Sequence, residues 1–368
     1  MPAMRNEDLY IGLMSGTSAD GIDAALVQAG ERNCRILATA MTPLPDDVRR
    51  DLLALCQPGE NELDRAGVLH RRLGEVFAGA VERLLETAGI EASRISAIGS
   101  HGQTVRHRPG PEGFSVQLGS PDVIAVRTGI PVVADFRNRD MVLGGEGAPL
   151  VPRFHQCLFA RAGERRAVLN IGGMANVTLL DGERLAAGFD TGPGNVLLDE
   201  WCRRHTGNAY DADGAWGGAG SVLPALLERL LAEPYFSLLP PKSTGREQFN
   251  GNWLTQHLDG DERPEDIQAT LTELTAASVA LALADFAPDR LLVCGGGVHN
   301  GLLMERLAVH LPDADIVPTD RESGLDPDWV EAAAFAWLAR ARLAGETGNA
   351  PEVSGASAPA VLGALYAP

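Results

Sequence analysis

Positive charge is scarce in this sequence. It has 31 Lys and Arg against 49 Asp and Glu, a formal net charge of -18 over 368 residues. A nucleic acid or an anionic membrane needs a basic face to dock on, so the balance argues against both as partners. It leaves ATP open, because a nucleotide needs only local N–H groups and a metal. Cysteine is also sparse. Cys34, Cys56, Cys157, Cys202 and Cys294 are odd in number, scattered, and in no metal-ligand spacing. They read as reduced thiols of a cytoplasmic protein. No run approaches the ~20 apolar residues of a membrane span. Met1 to Asp8 lacks the apolar stretch of a signal peptide. There is no low-complexity tract and no solenoid period. What is present is the ordinary make-up of a globular protein, 45% hydrophobic and 22% charged. At 368 residues the chain is long for one core, so two domains are expected.

Glycine-rich turns after apolar runs organise the rest. Leu9 to Met14 is apolar, Ser15 to Gly21 is a polar turn, and Ile22 to Val27 is apolar again with Asp23 as its only charge. This reads as a hairpin. Its tip offers backbone N–H groups and the hydroxyls of Thr17 and Ser18, which suits a phosphate; an ordinary hairpin with a polar tip is the other reading. Arg166 to Thr178 repeats the pattern around Asn170-Ile171-Gly172-Gly173. Gly188 to Asn195 places Asp190 on a further Gly-rich loop that opens a helical pattern. Leu291 to Asn300 is a buried strand running into Gly295-Gly296-Gly297 and a helix. The first two turns are alike and half a chain apart, which suggests two related domains gripping one nucleotide.

The periodicity gives three strands first (Leu9–Leu13, Ile22–Val27, Arg35–Ala40), then helices at Asp46–Leu55 and Leu63–Ala88. Strands at Ile95–Gly99, Phe114–Leu118 and Ile130–Ala134 follow, with a helix at Pro121–Thr128. The pattern restarts with strands at Ala167–Ile171, Asn176–Leu180 and Leu185–Phe189. Helices at Asn195–His205, Val222–Leu231, Pro264–Phe286, Leu302–His310 and Pro327–Leu343 come next, with strands at Leu291 and at Asp315–Pro318. Pro234 to Gly251 reads as irregular, and Ala344 to Pro368 as packed extended chain.

The stretches GLMSGTSADGIDAAL, SHGQTVRH, VVADFRNRD, NIGGMANVTLL, GFDTGPGNVLLD, KSTGREQFN and CGGGVHN, in this order, resemble the anhydro-N-acetylmuramic acid kinases. These bacterial enzymes of peptidoglycan recycling belong to the actin-like, sugar-kinase superfamily. The likeness runs from Tyr10 to Tyr366. It implies an α/β fold of two ribonuclease-H-like domains with an interdomain active-site cleft. We place domain I at residues 1–133 plus 344–368 and domain II at 134–343. The superfamily's actins and heat-shock ATPases usually carry an acid on the first strand before the glycine turn. Here Met14 and Ser15 stand there, so their metal site does not transfer, and the metal ligands are left unassigned.

The resemblance implies an ATP-dependent kinase, working with Mg²⁺, that hydrolytically opens the ring of 1,6-anhydro-N-acetylmuramic acid. It phosphorylates the 6-oxygen to give N-acetylmuramic acid 6-phosphate. Asp190, in the family's DTGPGN motif, would be the base that activates water; a helix cap or a contact to Mg²⁺-bound water are its other readings. The nucleotide contacts expected are Gly16, Thr17, Ser18, Ala19, Asp20, Gly21, Ile22 and Asp23, with Asn170, Gly172, Gly173 and Asn176. Gly192, Gly194, Asn195, Gly295, Gly296, Gly297 and Asn300 complete the set. The triple glycine could instead serve close strand–helix packing. For the sugar, Arg137 would take the lactyl carboxylate with Arg139 in reserve, unless either only pairs with Asp140. His101, Ser120 and Glu331 would be the other sugar contacts; a structural hydrogen-bonding role is the other reading of His101, and a favourable acid in a helix's first turn that of Glu331. Lys242 to Arg246 has the composition of a mobile loop near the site. A homodimer is the expected assembly. A sugar kinase acting on a free hydroxyl and a non-kinase actin-like ATPase are the alternatives.

Overall fold

The computed structural model describes residues 8–16 and 19–368. Its strands in chain order are β1 (Leu9–Met14), β2 (Gly21–Ala29), β3 (Cys34–Pro43), β4 (Ile95–Ser100), β5 (Gln103–Arg108), β6 (Phe114–Leu118) and β7 (Val132–Ala134), then β8 (Arg165–Ile171), β9 (Met174–Asp181), β10 (Arg184–Pro193), β11 (Arg290–Cys294), β12 (Asp315–Pro318) and β13 (Ala364–Tyr366). Two compact units emerge: Met1–Leu158 with Trp329–Pro368, and Phe159–Asp328.

The first unit carries a six-stranded sheet in the order β13-β7-β4-β1-β2-β3. β1, β2 and β3 are antiparallel neighbours, and β4 and β7 extend the sheet in parallel from β1. The second unit has the order β10-β9-β8-β11-β12. Again three antiparallel strands come first, and two parallel strands extend the other side. One topology is thus used twice, the ribonuclease-H-like order that the strand pattern suggested.

β1 is central and covered on both faces, which is why its sequence is a continuous apolar run rather than an alternation. Leu9, Ile11 and Leu13 face a core shared with the helix Glu62–Ala88. That helix buries Leu69, Leu73, Phe77, Val81 and Leu84, a stripe at spacings of three and four. It stops at Gly89, whose φ of +64° is the left-handed cap that favours glycine. On the opposite face lies the helix Val330–Ala344, buried over almost its whole length. A Cβ at Gly12 of β1 would overlap the carbonyl oxygen of Ala332, and one at Gly99 of β4 that of Phe335. The two glycines let the helix backbone rest directly on the sheet.

That helix moves the domain boundary. The sequence placed 134–343 in the second domain, whereas residues up to Leu158 and from Trp329 onward belong to the first unit. The segment after β7 is also tied there. Asp140 is 1% exposed, and its carboxylate accepts from the Gly147 N–H at 2.9 Å, Asn349 Nδ2 at 2.8 Å and Ser354 Oγ at 2.7 Å. The tail is therefore not plain extended chain. It holds a short helix at Pro351–Ser354, and β13 pairs with β7. The short helices Asn138–Val142 and Pro152–Phe159, and the pairing of β5 with β6, were also absent from the sequence pattern.

The second unit has two cores. One lies around β8 and β11, with Ala276, Val279, Leu303 and Leu307 from its helices. The other is built from Trp201, Leu226, Tyr235, Phe249, Trp253 and Leu271. The stretch read as irregular, 234–251, supplies two of those aromatic side chains and holds only one short 3-10 turn.

Candidate functional site

In the second unit, Asn170 of β8, Asn176 of β9 and Asp190 of β10 lie opposite one another in register. They make a polar row across three strands at the end where the strands run into glycine turns. The turns close on each other through the backbone. The Asn195 N–H donates to Gly172 O at 2.8 Å, and those of Gly194 and Val196 donate to Gly173 O at 2.9 and 3.1 Å. Asn195 Nδ2 donates to Ile171 O at 3.1 Å. The helix Asn195–Thr206 starts here, with basic Arg203, Arg204 and His205 at its far end, in keeping with the helix dipole.

The triple glycine joins the same corner. Gly295 has φ +80° and abuts Asn170, and Gly297 abuts Ile171. Both serve close packing against β8, the alternative weighed for them, while Gly296 stays exposed near Asn195. Asn300 caps the helix Gly301–His310 by accepting the Leu303 N–H at 3.0 Å. Gly192 packs against Phe236 instead.

Asp190 is held on all sides. Its N–H donates to Lys242 O at 3.2 Å, and its carbonyl accepts from the Tyr235 hydroxyl at 2.7 Å. Its carboxylate Oδ2 accepts from the Thr244 N–H at 3.0 Å. A bulge in the β9–β10 pairing falls between Asp190 and Gly192, which breaks the strand alternation beside the carboxylate. Burial pushes the Asp190 carboxyl up to about 6 and Glu247 adds to this, against the Thr244 N–H and the Lys242 ammonium. The donor to the carboxylate comes from the 242–246 segment and not from the helix at Asn195, so the helix-cap reading falls away. The 242–246 segment is a cradle for Asp190. Tyr235 and Glu247 were missed as site residues; the KSTGREQFN stretch was the available signal for Glu247, and nothing local marked Tyr235.

In the first unit, Thr17 and Ser18 lie outside the described residues. Around them, the Ser15 hydroxyl sits 2.6 Å from Gln103 Oε1 and 2.8 Å from Gly21 O. Gln103 Nε2 donates to Gly16 O at 3.1 Å. Ala19 adopts φ +53° and its N–H donates to Gly16 O at 3.1 Å. Asp20 is exposed and pairs with Arg49 at 3.2 Å. The Ile22 side chain is fully buried in the apolar core, which leaves only its backbone to face a nucleotide.

Arg137 sits in the first unit with His101. Its Nη2 donates to His101 Nε2 at 2.7 Å and its Nη1 to Gly147 O at 2.7 Å. A guanidinium only donates, so Nε2 must accept and the imidazole proton must be on Nδ1, which donates to Gly102 O at 2.9 Å. Burial, helped by Arg137, holds His101 well below its usual range, so it is neutral. Arg137 Nε is buried with no hydrogen-bond partner. Burial lowers the Arg137 pKa to about 10, against the pull of Glu331, and the group stays charged at neutral pH. Glu331 is raised, by burial first and then by Asp23, while Arg137 opposes the shift. Asp23, Arg137 and Glu331 are thus electrostatically coupled. Arg139 is exposed, and the pairing with Asp140 considered for both arginines is not made, since Asp140 is committed to Gly147, Asn349 and Ser354. Ser120 caps the helix Pro121–Thr128 by accepting the Val123 N–H at 3.4 Å.

Among the described residues no group of three or more His, Cys, Asp or Glu could hold a metal ion, and no helix is long and apolar enough to cross a membrane. A cavity of about 500 Å³ in the second unit is lined by Cys202, Thr206, Tyr210, Asp211 and Trp216, and by none of the expected site residues.

A family model described as anhydro-N-acetylmuramic acid kinase matches residues 8–368. Relatives of that name include a Pseudomonas putida protein, 51% identical over 362 residues that cover 97% of this chain and 99% of the relative. One from Xanthomonas oryzae is 50% identical over 377 residues, covering 100% of both chains. One from Shewanella loihica is 51% identical over 364 residues, covering 97% of this chain and 98% of the relative.

Proposed function

The chain belongs to the anhydro-N-acetylmuramic acid kinase family, and from that premise we propose that it opens and phosphorylates 1,6-anhydro-N-acetylmuramic acid in cell-wall recycling. The substrate's 6-oxygen is tied into an internal bridge to the anomeric carbon, so no free 6-hydroxyl exists to accept a phosphoryl group. Asp190 takes a proton from water, and the water oxygen attacks the anomeric carbon. The bond from that carbon to the 6-oxygen breaks, and the released 6-oxygen takes the γ-phosphoryl group of ATP. The products are N-acetylmuramic acid 6-phosphate and ADP. A carboxylate that activates water against an anomeric carbon follows the logic of inverting glycosidases. No separate acid is needed where the phosphoryl group captures the leaving oxygen.

The observation that carries this reading is Asp190 itself: a carboxyl raised to about 6, with both its backbone groups tied down. A base works best when its pKa lies near the working pH. Asn170 and Asn176 of the polar row, the turn at Gly172-Gly173 and the exposed Gly296 are assigned to the nucleotide phosphates. Arg137, with its unpartnered Nε, is assigned to the lactyl carboxylate, in a place prepared by neutral His101. Glu331 is assigned to the sugar. Mg²⁺ accompanying ATP would neutralise the charge on the phosphates during transfer. A cytoplasmic location, where the cysteines stay reduced, goes with this activity.

The test is an ATP-coupled assay with the anhydro sugar in ¹⁸O-water, beside Asp190→Asn. The expected product carries ¹⁸O at the anomeric position, and the variant loses ~10²–10⁴ in kcat. A wild-type enzyme that ignores the anhydro sugar but phosphorylates a free hydroxyl would overturn the substrate assignment.

A further inference from the structure

Among the 31 basic residues of this chain, Lys242 is the only lysine. It lies in the segment that cradles Asp190, half-buried rather than on the open surface. Its Nζ stands 4.8 Å from the Tyr235 ring centroid and 6.0 Å from that of Phe189, within the range of a cation–π contact. The same Nζ donates to the Tyr235 carbonyl at 3.4 Å. Tyr235 is 3% exposed and is wedged edge-on against Phe236 and Phe249, with ring centroids 6.0 and 5.6 Å away. Its hydroxyl then reaches the Asp190 carbonyl, while the Lys242 carbonyl takes the Asp190 N–H.

We propose that Lys242 is a positioning residue for the Asp190 base, its ammonium seated on Tyr235 so that the two residues together fix both backbone groups of Asp190. This rests on Asp190 being the base. Asp190 is caught between a rigid aromatic nest and a loop carbonyl, and the lysine head is the pin that joins them. An arginine fork is bulkier and always spreads its charge over a plane, whereas an ammonium is a compact point charge that fits against one ring. The charged groups that face the Asp190 carboxylate are Lys242, which favours its ionised form, and Glu247, which opposes it; Tyr235 is the neighbouring titratable group. Lys242 therefore sets electrostatics as well as geometry.

The test measures kcat against pH, and KM for ATP, in Lys242→Met, Lys242→Arg, Tyr235→Phe and Asp190→Asn, with thermal melts as a folding control. Lys242→Met is expected to lose about tenfold or more in kcat, with the KM for ATP near wild type. Its acid limb should move upward by ~0.5–1 pH unit, because losing a nearby cation favours the protonated carboxyl. Lys242→Arg should restore the limb and part of kcat. Tyr235→Phe should lower kcat with the limb unmoved. A Lys242→Met enzyme with the wild-type limb overturns the proposal, whether its activity is full or lost. If Lys242→Met does not fold, an unchanged kcat in Tyr235→Phe overturns it alone. An active Asp190→Asn would sink the base assignment and this proposal with it. An inactive Asp190→Asn beside an unaltered Lys242→Met would sink only the role of Lys242.

Discussion

At the residue scale, environment decides what a given side chain can do. Asp190, near the end of β10, and Asp140, in the short helix Asn138–Val142, are the same amino acid, each close to a glycine-rich turn. Asp140 is wrapped by three donors and ties loop to tail. Asp190 receives one backbone N–H, is half-buried with Glu247 nearby, and is raised to about 6. The base is active when ionised, so kcat should fall as pH drops through about 6, by close to tenfold per unit below it, in a pH–rate profile with saturating ATP and sugar. Arg137 is pinned by His101 and Gly147 and keeps an unused Nε. Arg137→Gln should raise the KM for the sugar about tenfold or more and leave that for ATP within about twofold, since a charge-assisted hydrogen bond contributes ~1.5–3 kcal/mol. Steady-state kinetics with each substrate varied in turn would read this split.

At the scale of elements, the close seating of the helix Val330–Ala344 on β1 and β4 fixes the first unit. Neither Gly12 nor Gly99 has room for a methyl group, because the obstacle is helix backbone and not a movable side chain. Gly99→Ala should therefore cost roughly 1–3 kcal/mol of stability, seen in urea melts followed by far-UV circular dichroism. Because Glu331 lies in the first turn of this helix, lifting the helix should also disturb its coupling to Arg137 and Asp23. A Gly99→Ala protein that melts like wild type would mean that the helix can shift along the sheet without cost.

For the whole molecule, the raised Asp190 sets function against stability. The folded protein favours the protonated carboxyl relative to the unfolded chain, whose aspartate titrates near ~3.9. The folded state therefore binds more protons between that value and about 6, and stability falls as pH rises through this window. With partial exposure discounted, the cost above the window is ~1–3 kcal/mol. Asp190→Asn removes the titration, so it should melt above wild type at pH 8, with the gap closing toward pH 4. The second unit is one continuous segment, 159–328, with its own two cores. Expressed alone, it should melt cooperatively. Residues 1–158 alone leave the Gly12 and Gly99 face of the sheet without its helix, and should not.

The sequence by itself determined most of the elements and the family. Apolar runs broken by glycine turns marked β1, β2, β8, β9 and β11, because burial on both faces and tight turning leave a local trace. The duplicated strand order could be read for the same reason, and so could the stretch around Asp190. Tertiary structure decided what depends on residues far apart in the chain. Gly12 looks like any small residue in an apolar strand until Ala332 is seen above it. Glu331 changed units because its helix packs on β1 and β4. Lys242 and Tyr235 became partners of Asp190 only through contacts 52 and 45 positions away in sequence. No local periodicity encodes such pairs: the side chains that meet are set by how sheet and helices stack, and burial then sets which carboxylate titrates near neutrality.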